Sequence, residues 1–319
     1  MKKRSFGWLC ATLLLTWASG SFAPAFAWDK TGHQYINRAA AMAFPGDMPA
    51  FMRTPETIDA IAYLGPEPDR WGTLGGSELR DTLRPEHYIL MELADLAGPL
   101  PRTRPEYLRN LTAAQILHPD RAADLTPYRV GLQPYSAIEV YGRLLAAMRE
   151  YRRLNAAHEN TKPVELAITF YAGWLGHYVG DGANPMHTSI NYNGWVQDNP
   201  DGYTPVGHDV HGEWENLYVP ANIKPDSFVS LISKPRVLND VFTDYVAYLR
   251  GSNALVGKTY EIEKQGGFKG AGSPEAHQFT DERFAAAASM LRDIIYTAWV
   301  NSASPPAGKN IPTIQAPPR

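Results

Sequence analysis

Five residues between His177 and Glu215 carry donor atoms at spacings that suit metal binding. His177 and Asp181 are four apart, His187 follows six later, and His211 and Glu215 are again four apart. A separation of four puts two side chains about one turn apart on one face of a helix. An imidazole and a carboxylate so placed form half of a metal site. An ordinary surface His–carboxylate pair has the same spacing, so one pair alone says little. Two pairs with a further histidine between them, within about forty residues, point to a cluster of metal ions and so to a hydrolytic enzyme. Pro185, in the run Asn184-Pro185-Met186-His187, breaks a helix and can turn His187 back toward the pairs.

Two further candidates, Asp69 in PEPDRW and His87 in RPEHY, are unremarkable singly. His118, His158, His208 and His277 receive no role. His208 competes with His211, three residues later, but only His211 has a carboxylate four positions on.

The chain has 319 residues and a single cysteine, Cys10. Lys2, Lys3 and Arg4 precede an apolar run from Phe6 to Leu15 and a small-residue site at Ala25-Phe26-Ala27, the pattern of a secretory signal peptide over residues 1–27. Cleavage after Ala27 would leave Trp28 at the mature N-terminus, with no cysteine and no disulfide. Any transition-metal site must then use His, Asp and Glu. The apolar run is short for a membrane span, and the expected location is secreted or periplasmic. Cleavage removes three positive charges and takes the formal charge from −3 to −6. That balance does not predict an electrostatic grip on long nucleic acid, although three zinc ions would cancel it.

The elements that must position these residues read as helices. One is expected from about Lys30 to Phe44, ended by Pro45-Gly46, and a second over Pro55 to Leu64. The Gly- and Pro-rich stretch from Pro66 to Tyr88 reads as a loop, and the segment from Ala97 to Pro134 as irregular. Apolar residues at helical spacing predict helices over Tyr135–Leu154, Pro163–Val179, Val237–Leu249 and Asp281–Asn301. No alternating strand pattern stands out. The expectation is an all-α protein with one multi-helix domain over residues 28–302 and a metal site in a cleft between helices. Residues 303–319 hold five prolines and little to bury, which predicts a disordered tail.

In order, Trp28, His33, Asp69, His87, His177, Asp181, His187, His211 and Glu215 resemble the ligand series of one superfamily. It joins bacterial zinc-dependent phospholipase C with the single-strand-specific zinc nucleases of the S-one/P-one type. The resemblance spans most of the mature chain. It implies three zinc ions. One is held by Asp69, His87, His177 and Asp181. A second is held by the amino and carbonyl groups of Trp28 with His33 and Asp181, so that Asp181 bridges. The third is held by His187, His211 and Glu215. Each ion receives three or four protein donors and keeps positions for water or substrate. An α-amino group ligates only when deprotonated, so cleavage before Trp28 would gate assembly.

The implied reaction is phosphate-ester hydrolysis. A zinc pair lowers the pKa of a shared water toward neutrality and supplies hydroxide, while metal charge stabilises the transition state. Asp69 could orient the attacking water, and Arg70 could contact the phosphate or be a surface arginine. The short spacing from Trp28 to His33 and the His-x-x-Trp-acid run at His211–Glu215 are similar to the nucleases. Glu215, the Asn191-Tyr192-Asn193 region and the Asn37-Arg38-Ala39 run are similar to the phospholipase. The nucleases place an aromatic after the loop histidine and an acid two further on; here Tyr88 keeps the aromatic and Leu90 replaces the acid. Tyr88 or Tyr192 could stack a base, since stacking needs only an aromatic face; packing is the other reading. The expected function is a secreted zinc-dependent nuclease acting on single-stranded DNA or RNA. The alternatives are a phospholipase C taking a phospholipid head group, and a non-catalytic protein stabilised by zinc.

Overall fold

The structure is a computed structural model that describes residues 28–196, 198–199 and 201–306. The expected signal peptide and residues 307–319 of the expected tail lie outside the described residues. The fold is all-α: among the described residues there are helices and isolated bridge pairs, and no strands. The principal helices are α1 (Asp29–Met42), α2 (Pro55–Leu64), α3 (Glu67–Leu74), α4 (Ser77–Leu83), α5 (Arg104–Leu117), α6 (Gln133–Ala156), α7 (Lys162–Ala183), α8 (Val241–Asn253), α9 (Val256–Lys264) and α10 (Pro274–Asn301). No helix of the described residues is long and apolar enough to cross a membrane.

Two regions differ from the sequence expectation. The stretch from Pro66 to Tyr88 is not a loop but carries α3, α4 and a 3-10 turn over Arg84–His87. Pro66 is the N-cap of α3, and Pro68 and Pro85 sit in first turns, where the missing N–H has no helical partner to lose. Gly72 lies within α3, while Gly75 and Gly76 mark the break, where Gly76 takes the left-handed turn between α3 and α4 with φ 88°. The segment from Ala97 to Pro134 contains α5, opened by Thr103, whose hydroxyl accepts from the Glu106 amide at 3.4 Å. Elsewhere the expected helices are present with shifted ends. α10 begins at Pro274, capped by Ser273, rather than at Asp281. Beyond α10, Arg149 Nε donates to the Ser304 carbonyl at 3.0 Å.

The central element is α7, which packs against α1, α2, α6 and α10. From Leu175 to Ala183 every residue is buried, so it is enclosed on all sides. Close approach of α1 and α2 depends on glycines along one face of α7. A Cβ at Gly173 would meet Leu64 Cβ at 2.4 Å, one at Gly176 would meet Asn37 Oδ1 at 2.0 Å, and one at Gly180 would meet His33 Nδ1 at 2.9 Å. In the space this leaves, buried Asn37 donates to the Ile61 carbonyl at 3.0 Å and the Gly173 carbonyl at 2.9 Å, tying α1 to α2 and α7.

This contact yields a paired expectation. Gly176→Ala should destabilise the fold by about 1–3 kcal/mol, the usual cost of overpacking. Gly142→Ala, at a mid-helix position of α6 with nothing within 4 Å, should stabilise by about 0.5–1 kcal/mol. Denaturant midpoints of the two variants and the parent check both signs.

Candidate metal centre

The centre is built around Asp181, which with His177 occupies the buried end of α7. The two oxygens of Asp181 face different partners. Oδ1 lies 3.3 Å from His33 Nε2. Oδ2 lies 3.3 Å from His87 Nδ1, 3.4 Å from His177 Nε2 and 3.9 Å from His187 Nδ1. Asp69, buried at the start of α3, directs Oδ1 to His177 Nε2 at 3.6 Å and His87 Nδ1 at 3.7 Å. A second group follows α7: His187 Nε2 is 2.9 Å from His211 Nε2 and 3.5 Å from Glu215 Oε1. His211 Nε2 is 2.7 Å from Glu215 Oε2.

Backbone groups hold the rings. His177 Nδ1 faces the Gly65 carbonyl at 3.0 Å, and His187 Nδ1 faces the His87 carbonyl at 2.7 Å. A ring N–H donated to such a carbonyl selects the tautomer that turns the other nitrogen, unprotonated, toward the site. His87 and His187 are also locked by chain pairing: the Ile89 amide donates to the His187 carbonyl at 2.9 Å, and the Met91 amide to the Thr188 carbonyl at 3.0 Å. His33 stacks on His177 with centroids 4.1 Å apart.

The segment carrying His211 and Glu215 is not the regular helix that their spacing predicts. A short turn over Val210–Gly212, capped by Asp209, runs into a π-helix over Glu213–Tyr218. The longer glutamate stem still closes the contact across the wider turn. Asn184 organises this side. Its Oδ1 accepts from the Met186 amide at 2.8 Å, starting the turn that presents His187, while its amide donates to Glu215 Oε1 in a short hydrogen bond.

Electrostatically the centre suits a cation. Burial pushes Asp69 well up and His177 well down. Burial opposes charge on Asp181 and Glu215 too, but the surrounding imidazoles outweigh it; Asp181 is held well below the carboxylate range and Glu215 at about 2. His187 is pushed down by burial and then raised by Asp181 and Glu215 to about 9, so the carboxylates draw positive charge to their side. No Lys or Arg among the described residues pairs with Asp69, Asp181 or Glu215.

Metal fits this donor set. Donors about 2.0–2.2 Å from one tetrahedral ion lie about 3.3 Å apart, close to most spacings here. The 2.8 Å between His87 Nδ1 and His177 Nε2 would open slightly. Both His33 nitrogens, Asp69 Oδ2 and both Asp181 oxygens are buried without a hydrogen bond, which an ion would remedy. Three groups have donors within 4.8 Å of one another: His33, Asp69 and His177; His87, His177 and Asp181; His187, His211 and Glu215. These buried clusters could hold metal ions.

Trp28 sits beside them, buried, with its indole donating to the Gly180 carbonyl at 2.6 Å. Other candidates stand apart. The Arg70 guanidinium donates to the Tyr63 carbonyl at 2.8 Å, pairs with Glu67 and lies over the Tyr63 ring, so its contacts are structural. The Tyr88 hydroxyl donates to the Tyr128 carbonyl, and burial pushes it up to about 12. Tyr192 is exposed and close enough to interact electrostatically with Tyr88 and Arg84. Leu90 is buried. The sequence reading overlooked Asn184 as a buried donor, although Asn-Pro is a turn initiator; Arg84 and Tyr128 carried no signal of their own.

Comparison with protein-family models, with curated proteins and with solved structures gave no match.

If the His187, His211 and Glu215 group holds a divalent metal ion, Asn184→Ala should weaken that binding about 10–100-fold, the usual effect of losing a group that orients a ligand. Competition with a chromophoric chelator measures this. Equal affinities would reduce Asn184 to a packing residue.

Proposed function

We propose that this protein is a secreted, zinc-dependent hydrolase of phosphate esters that cleaves single-stranded nucleic acid. The observation that carries the reading is the division of Asp181 between two sets of imidazoles, His33 on one oxygen and His87 with His177 on the other. A carboxylate placed so suits two ions at once. In this reading Asp69, His87, His177 and Asp181 hold one zinc, and His33, Asp181 and the Trp28 amino and carbonyl groups hold a second. His187, His211 and Glu215 hold a third. When bound, such ions acidify water and neutralise charge on a phosphate.

The chain's own groups supply the rest. Asp69 Oδ1 faces the imidazoles, while Oδ2, buried without a hydrogen bond, would accept one from the attacking water and orient it. His87, with 16% of its side chain exposed, is the most open member of the centre, and Asp69 lies just beneath it. Tyr88 follows His87 in the chain, and Tyr128, Tyr192 and Arg84 lie close to Tyr88, with the Arg84 guanidinium 3.3 Å from the Tyr128 hydroxyl. Aromatic faces next to an arginine suit bases and phosphate, and this patch favours the nuclease over the other readings. Burial of Leu90 leaves base recognition without an acid, so stacking rather than hydrogen-bonded readout is expected. Arg70 remains bound to Glu67 and is given no part.

Incubating the purified protein with single-stranded DNA, RNA or phosphatidylcholine, with and without chelator, tests the reading. Chelator-sensitive nucleotide release is expected. Release of diacylglycerol and phosphocholine instead would make it a phospholipase C, and no turnover with metal bound would leave a zinc-stabilised protein without catalysis.

Trp28 has its own test. It adopts a left-handed backbone with φ 46°, uncommon for a large residue, and is held there by its buried indole. A version with residues retained before Trp28 should bind one zinc fewer than the cleaved protein and lose most activity. Equal zinc content by mass spectrometry would remove Trp28 from the ligand set.

A further inference from the structure

Outside the centre, three metal-ligating side chains converge, two from one stretch of chain and the third from α9. His208 Nε2 lies 3.3 Å from Glu213 Oε2 and 3.5 Å from Glu263 Oε1. The three donor atoms lie within 4.8 Å of one another. These separations match the spacing of about 3.3 Å expected of donors on one tetrahedral ion. His208 ends the segment between Tyr192 and Asp209, Glu213 opens the π-helix, and Glu263 lies on α9.

Charge and burial both leave room for a cation here. Glu263 is only 6% exposed, and neither it nor Glu213 pairs with a Lys or Arg among the described residues. The neighbouring lysine, Lys264, instead donates to the Asp201 carbonyl at 2.6 Å. Glu263 Oε2 is aimed by the Thr204 hydroxyl, which donates to it, while Oε1 receives no hydrogen bond among the described residues and points to His208. Two carboxylates brought together with a single imidazole are short of positive charge. The side chains of His208 and Glu213 are 44% and 20% exposed, so one side is open to solvent and to entry of an ion.

We propose that His208, Glu213 and Glu263 form an additional divalent-metal site, independent of the buried centre. Its one nitrogen and two carboxylate donors suit zinc, with water completing the coordination. Its role is to fasten a loop. Gly194, Trp195 and Tyr203 already rest on α9, since the Tyr260 hydroxyl accepts from the Gly194 amide at 3.1 Å and the Tyr260 ring packs against Trp195 and Tyr203. An ion on His208 would tie the end of that loop to α9 and to the π-helix bearing Glu215.

Zinc chloride is titrated into the purified parent protein and into His208→Ala and Glu263→Gln, and bound zinc is counted by plasma mass spectrometry after dialysis. The parent should retain one equivalent more than either variant. Added zinc should slow proteolysis between residues 194 and 209 in the parent and leave it unchanged in His208→Ala. His208 lies at the surface with 44% of its side chain exposed, so its replacement should leave folding intact even if Glu263→Gln disturbs Thr204. Equal zinc content in the parent and His208→Ala overturns the proposal, whatever the buried centre binds.

Discussion

A carboxylate with no exposed surface, Asp181, sits at the end of the most enclosed helix of the fold. Removing an ionised carboxylate from water costs several kcal/mol even after relaxation, and only nearby positive charge and hydrogen bonds offset it. Among the described residues no arginine or lysine pairs with it. Imidazoles surround it instead, and burial keeps His177 from carrying charge of its own. The helices must therefore bring several weakly basic rings within 4 Å of one group, and that demand explains the glycine face of α7. With any larger residue at Gly180, His33 could not lie over His177.

Aromatic packing braces the same constraint from outside. The Trp28 ring meets Trp214 and Phe284 edge-on, each at 4.9 Å, and Trp214 stacks between Phe268 and Phe279. Trp214 neighbours Glu215 in sequence, and its indole donates to Thr280 on α10 at 3.0 Å. The start of α1 and the π-helix are thus fixed to one apolar block, so Trp28 and Glu215 keep a constant relation although 187 positions separate them. Large rigid rings suit this task because few torsions need be frozen to place them.

Much of this was legible in the chain. His177 and Asp181 converge as their spacing implied, because α7 continues past Val179 to Ala183 and carries both on one face; His211 and Glu215 also meet, but across a π-helix. The all-α class followed from apolar periodicity in the long helices. Other features were hidden for physical reasons. Proline in a first turn reads like proline in a loop, which hides α3, and α4 is a short helix that opens directly after Gly75-Gly76. The π-helix leaves no compositional trace. The pairing of Ile89 with His187 depends on chain segments about a hundred residues apart, which no local pattern records. His208 looked like a weaker version of His211 because its partner Glu263 is remote in sequence.

The wide turn over Glu213–Tyr218 bears on how this chain tolerates change. A π-helix contains one residue more than the α-helical path it replaces, and its hydrogen bonds are less favourable. Deleting a residue there would give a more regular backbone. It would also rotate everything on one side of the cut by about 100° relative to the other. Glu215 would then leave His187 and His211 while the local helix improved. Length in this segment is thus under opposing demands, and a shorter relative with a regular helix here would have had to recruit its last carboxylate from a different position.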